Sequence, residues 1–307
     1  MAKQFGKRST AEQVSQGVDL SGKNVLVTGA NTGLGKETTR VLALCGAHVT
    51  MACRDMVKAE QAREDILAAA SGGIDESQLA LLQLDLNSLD KTQQAAEEYC
   101  QRGEALDILI NNAGIMIPME RRTADGFEAH LGINHLAHFL FTNLLLDSLT
   151  AANGARVIAL SSLAMSFASM KHGLDDINWE NRKFSGWPAY GNSKLMNYLF
   201  ARELSKRYEG NGIIAHAVHP GVVSTELGRD QSGLFSIVGV LATPFMKNVE
   251  QGAATQVLAA ISPEFGDRGG LYFKDCRVAK PQHKLANDAA LAEELWQRSA
   301  ELVGLEE

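Results

Sequence analysis

The chain has 307 residues, of which 21% are charged, and a formal net charge of -7. That length suits one large α/β domain with a buried core. The acidic balance gives no electrostatic footprint for nucleic acid, so nucleic-acid binding is not expected. The four cysteines lack a paired metal-ligand spacing, so we expect no bound metal and reduced, mostly packed thiols in a cytoplasmic protein.

The polar start of the chain argues against export. Residues 1–19 form a polar N-terminal extension with no apolar core, which is typical of neither a signal peptide nor an anchor. The nearest approach to a membrane span, residues 233–246, contains glycine and proline and is shorter than the ~20 residues that a bilayer requires. The sequence therefore predicts no transmembrane segment, with residues 20–305 forming one domain.

Short apolar runs predict the strands, and helical stretches lie between them. The strands are expected at residues 24–28, 48–52, 79–84, 106–111, 155–161, 213–218 and 271–273. Regular alternation of strand and helix is typical of a parallel sheet with helices on both faces. We therefore predict an α/β protein with a doubly wound parallel sheet of about seven strands.

A glycine-rich turn follows the first predicted strand and opens a helix. Residues 28–35 read TGANTGLG, in which Gly29, Gly33 and Gly35 form a variant of the dinucleotide-binding fingerprint. Glycine lets the backbone approach a pyrophosphate closely, and a helix N-terminus offers unpaired N–H groups to the anion. A purely structural turn has the same composition, so this assignment depends on the rest of the chain.

Two later strands end in small or hydroxyl residues. Residues 111–114 read NNAG, and small side chains there allow a flat ring to lie across the strand ends. Ser161 and Ser162 end the fifth predicted strand. Open α/β sheets bind ligands beyond the carboxyl ends of their strands, which makes both segments candidates for one site. Either serine can instead be a turn or cap residue.

Tyr190 and Lys194 lie four residues apart on a helix predicted for residues 189–208, so their side chains share one face. A free phenol ionises near pH ~10, and a fixed positive charge beside it would let it exchange a proton near neutrality. A packed tyrosine beside a solvated lysine has the same spacing. The glycine turn and residues 111–114 favour the catalytic interpretation.

Together these segments resemble the short-chain dehydrogenase/reductase family. The segments that match occur in the family's order: the glycine turn, residues 111–114, Ser162, Tyr190, Lys194 and residues 219–221, which read HPG. The chain is most similar to the retinol-dehydrogenase-like branch, which includes the catalytic domain of the WW-domain oxidoreductase, although no WW domain is present in this sequence. That likeness lies in residues 131–139, 217–223, 251–255 and 270–273.

The resemblance implies a single-domain Rossmann fold and a reaction that moves hydride between a nicotinamide cofactor and an alcohol or carbonyl carbon. Tyr190 would exchange the proton with the substrate oxygen, and Ser162 would hydrogen-bond that oxygen. Lys194 would stabilise the phenolate and bind the nicotinamide ribose. Asn134 matches a family asparagine that supports a water chain to the lysine, which completes the implied catalytic set.

The resemblance also implies a cofactor site. Its residues are Gly29, Asn31, Thr32, Gly33, Leu34, Lys36, Arg54, Asp85, Leu86, Asn112, Ala113, Gly114, Tyr190, Lys194, Pro220, Gly221, Val223 and Thr225. At the end of the second strand, an acidic residue would bind a ribose 2′-hydroxyl and an arginine would bind a 2′-phosphate. The resemblance gives Arg54 the contact position and leaves Asp55 to cap the next helix. With Lys36 adding positive charge, NADP(H) is expected, and NAD(H) is less favoured.

The resemblance implies that residues 222–251 form a lid over the substrate and that residues 171–187 shape one wall of the pocket. The apolar lid favours a lipophilic substrate such as a retinoid-like compound, an aldehyde, a ketone or a steroid. A buried helix, or a helix facing an oligomer partner, would carry the same residues. Residues 233–246 could also contact a membrane surface, so a homo-oligomer and peripheral membrane contact both stay open. The competing function is a catalytically idle NADP-binding sensor or scaffold, which the intact serine, tyrosine and lysine argue against.

Overall fold

The computed structural model describes residues 5–170, 173–223 and 246–305, and in these residues eight strands form one sheet. The strands are β1 (Asn24–Thr28), β2 (His48–Cys53), β3 (Leu79–Gln83), β4 (Ile108–Asn111), β5 (Ala155–Leu160), β6 (Ile213–His219), β7 (Leu271–Lys274) and β8 (Arg277–Val278). Their order is β3-β2-β1-β4-β5-β6-β7-β8. The pairs from β3 to β7 are parallel, and β8 adds a short antiparallel edge. The predicted doubly wound parallel sheet is confirmed.

Helices cover both faces of this sheet. They are α1 (Ala11–Ser15), α2 (Gly33–Leu44), α3 (Met56–Ala69), α4 (Leu89–Cys100), α5 (Ala137–Leu144), α6 (Leu146–Ala151), α7 (Gly186–Tyr208), α8 (Val249–Ile261) and α9 (Ala289–Val303). Alternate residues of a strand point to opposite faces, so a strand covered on both sides must be apolar throughout. Leu26 accordingly packs in the core that contains α7 and α9, whereas Val25 and Val27 pack in the core that contains α2 and α8.

The predicted polar extension contains a helix that packs on the domain. Thr10 caps α1, and the backbones and side chains of Thr10 and Gln13 exchange hydrogen bonds of 3.0 and 3.3 Å. Ala11 and Val14 are buried in the same core as α2 and α8. This part of the extension therefore contributes apolar surface to the domain core.

The order in which successive strands join the sheet reverses beside β1. The chain builds outward through β2 and β3 and then crosses to β4, so β1 and β4 are neighbours whose connections leave in opposite directions. The crevice at the carboxyl ends of such strands is where doubly wound sheets bind ligands. Within the described ranges, no helix has both the length and the apolar character that a bilayer span needs.

Candidate active site

A cavity of about 1030 Å³ opens at the carboxyl edge of the sheet. Most of the predicted site residues line it: Gly29, Asn31, Thr32, Gly33, Leu34, Arg54, Asp85, Leu86, Asn112, Ala113, Gly114, Ser162, Tyr190, Lys194, Pro220, Gly221 and Val223. Asn134 does not line the cavity but hydrogen-bonds to Ile115, which does. Lys36 is absent from the walls, and Thr225 lies outside the described residues.

The glycine turn is packed too closely for side chains. Gly29 has φ +65° and Gly33 has φ +51°, in the left-handed region that favours glycine. A Cβ atom on Gly35 would lie 2.2 Å from the Gly29 carbonyl oxygen and 2.6 Å from Nδ2 of Asn112. The N-cap residue Thr32 makes no side-chain capping bond, and the first turn of α2 holds no acidic residue. The N-terminus of α2 therefore suits a pyrophosphate, whose anion would meet free N–H groups.

The hydroxyl of Thr28 joins this turn to residues 111–114. Its Oγ1 accepts hydrogen bonds from the N–H groups of Asn112 and Ala113 at 3.0 and 2.9 Å. Its own proton faces Nε2 of His138, 2.9 Å away, and Nδ1 of His138 lies 3.2 Å from the carbonyl oxygen of Asn134. Burial lowers the pKa of His138 to about 3, so the ring is neutral, with Nδ1 donating and Nε2 accepting.

Asn134 lies in a π-helical segment, His130–Leu136, that leads directly into α5. Its side-chain oxygen accepts from Ile115 N–H at 2.8 Å, and its amide nitrogen donates to the Ile115 carbonyl and to Ser193 Oγ, both at 3.0 Å. A Cβ atom on Gly114 would lie 3.2 Å from Oδ1 of Asn134 and 3.4 Å from Nζ of Lys194. Glycine at this position therefore lets the amide and the ammonium approach the same stretch of backbone.

Tyr190 and Lys194 are both buried on successive turns of α7. Nζ of Lys194 donates to the carbonyl oxygen of Leu160 at 3.0 Å and lies 5.5 Å from the centroid of the Tyr190 ring. Burial lowers the pKa of Lys194 to about 8. Burial raises the pKa of Tyr190 to about 12, against a hydrogen bond with Ser162 that lowers it. At neutral pH the pair is thus an ammonium beside a neutral phenol, which is the form that can donate a proton.

The two adjacent serines have different partners. Ser161 Oγ donates to the carbonyl oxygen of Lys194 at 2.6 Å and so fixes α7 to the end of β5. Ser162 hydrogen-bonds to Tyr190, and its Oγ also accepts from Ala164 N–H at 3.1 Å. The hydroxyl that meets the phenol is therefore that of Ser162.

Two cations and one carboxylate near the end of β2 share the cavity wall. The residues that line it there are Arg54, Asp55 and Lys58. Asp55 caps α3 by accepting from Lys58 N–H at 3.2 Å. Lys36 instead pairs with Asp65 on α3, with 2.6 Å between Nζ and Oδ2. Lys58 was not predicted as a site residue, although its position one turn after Arg54 is a signal that could have identified it.

An aromatic pair lies at the cavity. Phe167 was not predicted as a site residue, whereas Trp187 ends the segment predicted to shape one wall of the pocket. The rings of Phe167 and Trp187 meet edge to face with centroids 5.6 Å apart, and both residues line the cavity. They are 57% and 40% exposed, which is unusual for large apolar side chains. Trp187 precedes Tyr190 by three residues on α7, a spacing that indicates a shared helix face.

The predicted lid lies mostly outside the described residues, which omit 224–245. The ends that are described meet each other: Val223 and Lys247 form a parallel bridge, and Lys247 N–H donates to the Val222 carbonyl oxygen at 2.9 Å. Nζ of the buried Lys247 lies 2.9 Å from Oδ1 of Asp275. The two ends are thereby fixed beside the cavity.

The sheet, the glycine turn and the serine, tyrosine and lysine of one cavity define a Rossmann-fold oxidoreductase. The short chain dehydrogenase family model matches residues 23–173. The chain is also 43% identical over 289 residues to retinol dehydrogenase 12 of Mus musculus, covering 94% of this chain and 89% of that protein. The chain therefore belongs to the short-chain dehydrogenase/reductase family, in its retinol-dehydrogenase-like branch, as the sequence motifs predicted.

Solved structures share this fold. A putative uncharacterized protein from Mycobacterium Paratuberculosis is similar with a TM-score of 0.76 and 33% identity, covering 97% of this chain and 98% of that one. A putative NAD(P) dependent gluconate 5-dehydrogenase from Beutenbergia cavernae, with bound NADP, has a TM-score of 0.66 at 21% identity, covering 83% and 95%. The second likeness shows a shared fold.

Proposed function

We propose that this protein is an NADP(H)-dependent oxidoreductase that interconverts an alcohol and a carbonyl group on a lipophilic substrate. The observation that carries the proposal is the single cavity lined by Ser162, Tyr190, Lys194, Arg54 and the glycine turn. A proton donor and a nucleotide-binding surface thus share one space. Separate cavities would leave the phenol without access to a cofactor.

The cofactor would bind along the walls that the glycine turn begins. The N-terminus of α2 would hold the pyrophosphate, and Arg54 with Lys58 would hold a 2′-phosphate. Asp55 is the competing carboxylate and also lines the cavity, but its Oδ1 is engaged in capping α3. Bound NADP(H) would supply the hydride donor or acceptor.

Tyr190 would protonate the substrate oxygen during reduction and take the proton back during oxidation. Ser162 would donate a hydrogen bond to the same oxygen, which aligns it with the phenol. Because the Lys194 ammonium is close to the ring, it favours the phenolate that remains after proton donation. Lys194 would also contact the ribose, and this contact would orient the cofactor.

The substrate side of the cavity is apolar. Met116, Ile133, Phe167 and Trp187 line it. Apolar walls with a few polar groups at one end are typical of sites for lipophilic small molecules. The name of the relative retinol dehydrogenase 12 supports including retinoid-like compounds in this class. We therefore propose long-chain, retinoid-like or steroid-like carbonyl compounds as substrates.

The test is a screen of NADPH oxidation with a panel of aldehydes and ketones, carried out on wild-type protein and on Tyr190→Phe. Wild type should turn over apolar members of the panel, and the variant should lose about 10²–10⁴-fold in rate because it lacks the proton donor. NADPH binding, measured by fluorescence, should be retained in the variant. Retention of more than about a tenth of the rate would contradict the role of Tyr190.

A catalytically idle sensor would give a different result. It would bind NADPH tightly and leave every carbonyl compound unchanged in both directions of reaction. Binding without turnover across the panel would therefore favour the sensor. Failure to bind NADPH at all would contradict both functions.

We also propose that the protein is cytoplasmic, as the sequence predicts. Cell fractionation tests it directly, and sedimentation with phosphatidylcholine vesicles tests for peripheral membrane contact. Recovery in the soluble fraction and no co-sedimentation are expected. Stable co-sedimentation would favour membrane contact through the segment that contains residues 233–246.

A further inference from the structure

We propose that Asn197 and His135 are positioning residues for Lys194, joined in a chain of hydrogen bonds that ends at Ser299 of α9. Lys194 acts in the proposed function, so this inference rests on that proposal. Asn197 and His135 do not line the cavity. Their effect would therefore reach the reaction through the lysine.

The chain begins at the carbonyl oxygen of Leu160, at the end of β5. This oxygen accepts from Nζ of Lys194 at 3.0 Å and from Nδ2 of Asn197 at 2.9 Å. A carbonyl oxygen has two lone pairs, so both donors can be satisfied together. Asn197 follows Lys194 by three residues on α7, which directs the two side chains to the same side of the helix.

The directions of the other hydrogen bonds follow from this contact. The Leu160 oxygen only accepts, so the amide nitrogen of Asn197 faces it and Oδ1 faces Nδ1 of His135 at 3.3 Å. Nδ1 must then carry the proton, which leaves Nε2 as an acceptor. Ser299 Oγ lies 2.9 Å from Nε2 and donates to it. A single arrangement of protons therefore satisfies every member of the chain.

The side chains of the hydrogen-bond chain are buried, and its histidine stays neutral. Asn197 is 4% exposed, His135 is 1% exposed and Ser299 is 0% exposed. Burial lowers the pKa of His135 to about 4, so the ring remains neutral and Nε2 remains an acceptor near neutral pH. The rings of Phe139 and Phe200 lie 6.2 and 6.3 Å from the ring of His135. These contacts limit rotation of the imidazole.

Loss of the Asn197 donor would leave the end of β5 less firmly fixed to α7. The Lys194 ammonium takes its position from that strand end, so it would shift relative to both the phenol and the bound ribose. Small misplacements of catalytic groups reduce turnover strongly. Substrate affinity should change little, because neither Asn197 nor His135 touches the cavity. The expected signature is a lower kcat at nearly constant KM for the carbonyl substrate.

The experiment tests the two ends of the hydrogen-bond chain separately, with variants of Asn197 and of Ser299. Asn197→Leu removes both of its contacts, whereas Asn197→Asp keeps an acceptor for His135 and loses the donor to Leu160. Both variants should reduce kcat roughly ten- to a hundredfold, with KM for the carbonyl substrate within about twofold of wild type. Ser299→Ala should give a smaller loss, and Ser299→Thr, which keeps the hydroxyl, should be close to wild type.

His216 supplies the matched control. Like His135 it is a buried imidazole whose pKa burial lowers to about 4, and it lies on β6 with Nε2 3.1 Å from the Phe265 carbonyl oxygen. His135→Gln and His216→Gln should both lower the melting temperature. Only His135→Gln should lower kcat, because the hydrogen bond of His216 is to Phe265 and not to a member of the hydrogen-bond chain.

The outcomes separate the two proposals. If wild type turns over carbonyl compounds and Tyr190→Phe does not, then unchanged kcat in Asn197→Leu contradicts the positioning role alone. An equal loss of kcat in His216→Gln and His135→Gln would also contradict it, since the effect would follow from stability. If Asn197→Leu does not fold, then Ser299→Ala decides: wild-type kcat in that variant contradicts the proposal. Absence of turnover in the wild type contradicts the proposed function itself, and the positioning role with it.

Discussion

The ammonium of Lys194 and the carbonyl oxygen of Leu160 lie 3.0 Å apart, so a buried cation has a neutral backbone group as its partner. Lys194 is 5% exposed, and its burial lowers its pKa to about 8. A neutral acceptor offsets less of the desolvation cost of an ammonium than a carboxylate would. The site therefore keeps its lysine at a cost in stability, which leads to the first prediction.

Replacing Lys194 by methionine should stabilise the protein at pH 7. The pKa of this lysine is about 8 in the folded protein, against an ordinary value of 10.5. At a pH between these two pKa values, the unfolded chain therefore keeps a proton on Lys194 that the folded protein has lost. Wild-type stability should thus rise as pH increases through this window, and the full penalty applies below it. The advantage of Lys194→Met should be largest at pH 7 and shrink towards pH ~10.

Thermal unfolding of both proteins across this pH range is the measurement. Lys206→Met is a control at a lysine on the same helix that is exposed and whose Nζ lies 3.4 Å from the buried Glu203, and it should show no such pH-dependent gain. A constant difference in melting temperature between wild type and Lys194→Met would contradict the burial argument.

Arg54→Ala should raise the Michaelis constant for NADPH and leave that for NADH almost unchanged. Charged hydrogen bonds to a phosphate are each worth about 1.5–3 kcal/mol, which corresponds to roughly a ten- to a hundredfold change. Lys58→Ala should act in the same direction with a smaller effect, because its flexible ammonium binds less specifically. Steady-state kinetics with each cofactor provides the test.

Comparing Asp55→Ala with Arg54→Ala tests which of the two residues determines the cofactor preference. It removes a helix cap, so a loss of about 0.5–2 kcal/mol in unfolding free energy is expected, and the preference for NADPH should remain. Selective loss of NADH use in this variant, or equal use of both cofactors by wild type, would mean that Asp55 contacts the ribose.

Gly35→Ala should weaken NADPH binding. Its Cβ atom would lie 2.2 Å from the Gly29 carbonyl oxygen, so the glycine turn must move away from α2. A Cβ atom on Gly210 would meet nothing within 4 Å, which makes Gly210→Ala the matched control. Fluorescence titration with NADPH should separate the two variants, and equal affinity in both would contradict the close-packing account.

Phe167→Ala and Trp187→Ala should harm turnover of long apolar carbonyl compounds more than that of short ones. The two rings line the cavity, and lost contact scales at about 25 cal/mol per Å² of apolar surface. Val278→Ala serves as a control, because Val278 is 44% exposed and lies away from the cavity. Kinetics with straight-chain aldehydes of increasing length would test this, and equal losses at every length would exclude a substrate-contact role.

Much of the fold and of the site could be predicted from the sequence because it depends on local patterns. Short apolar runs between helical stretches predicted the strands β1 to β7 with bounds that differ by at most two residues. The carboxyl ends of parallel strands meet at one edge, so the glycine turn, residues 111–114 and Ser162 had to converge there. Spacing on one helix likewise predicted that Tyr190 and Lys194 would share a face.

Tertiary structure decided what depends on partners distant in the chain. Local spacing alone does not indicate that Lys36 pairs with Asp65, or that His135 meets Ser299, which lies 164 residues later. The edge strand β8 also required a partner, because its two residues are exposed and carry no apolar pattern. Such contacts depend on how helices and strands pack against one another. The local sequence pattern determines whether a segment forms a helix or a strand, but it does not determine which side chains of different elements meet.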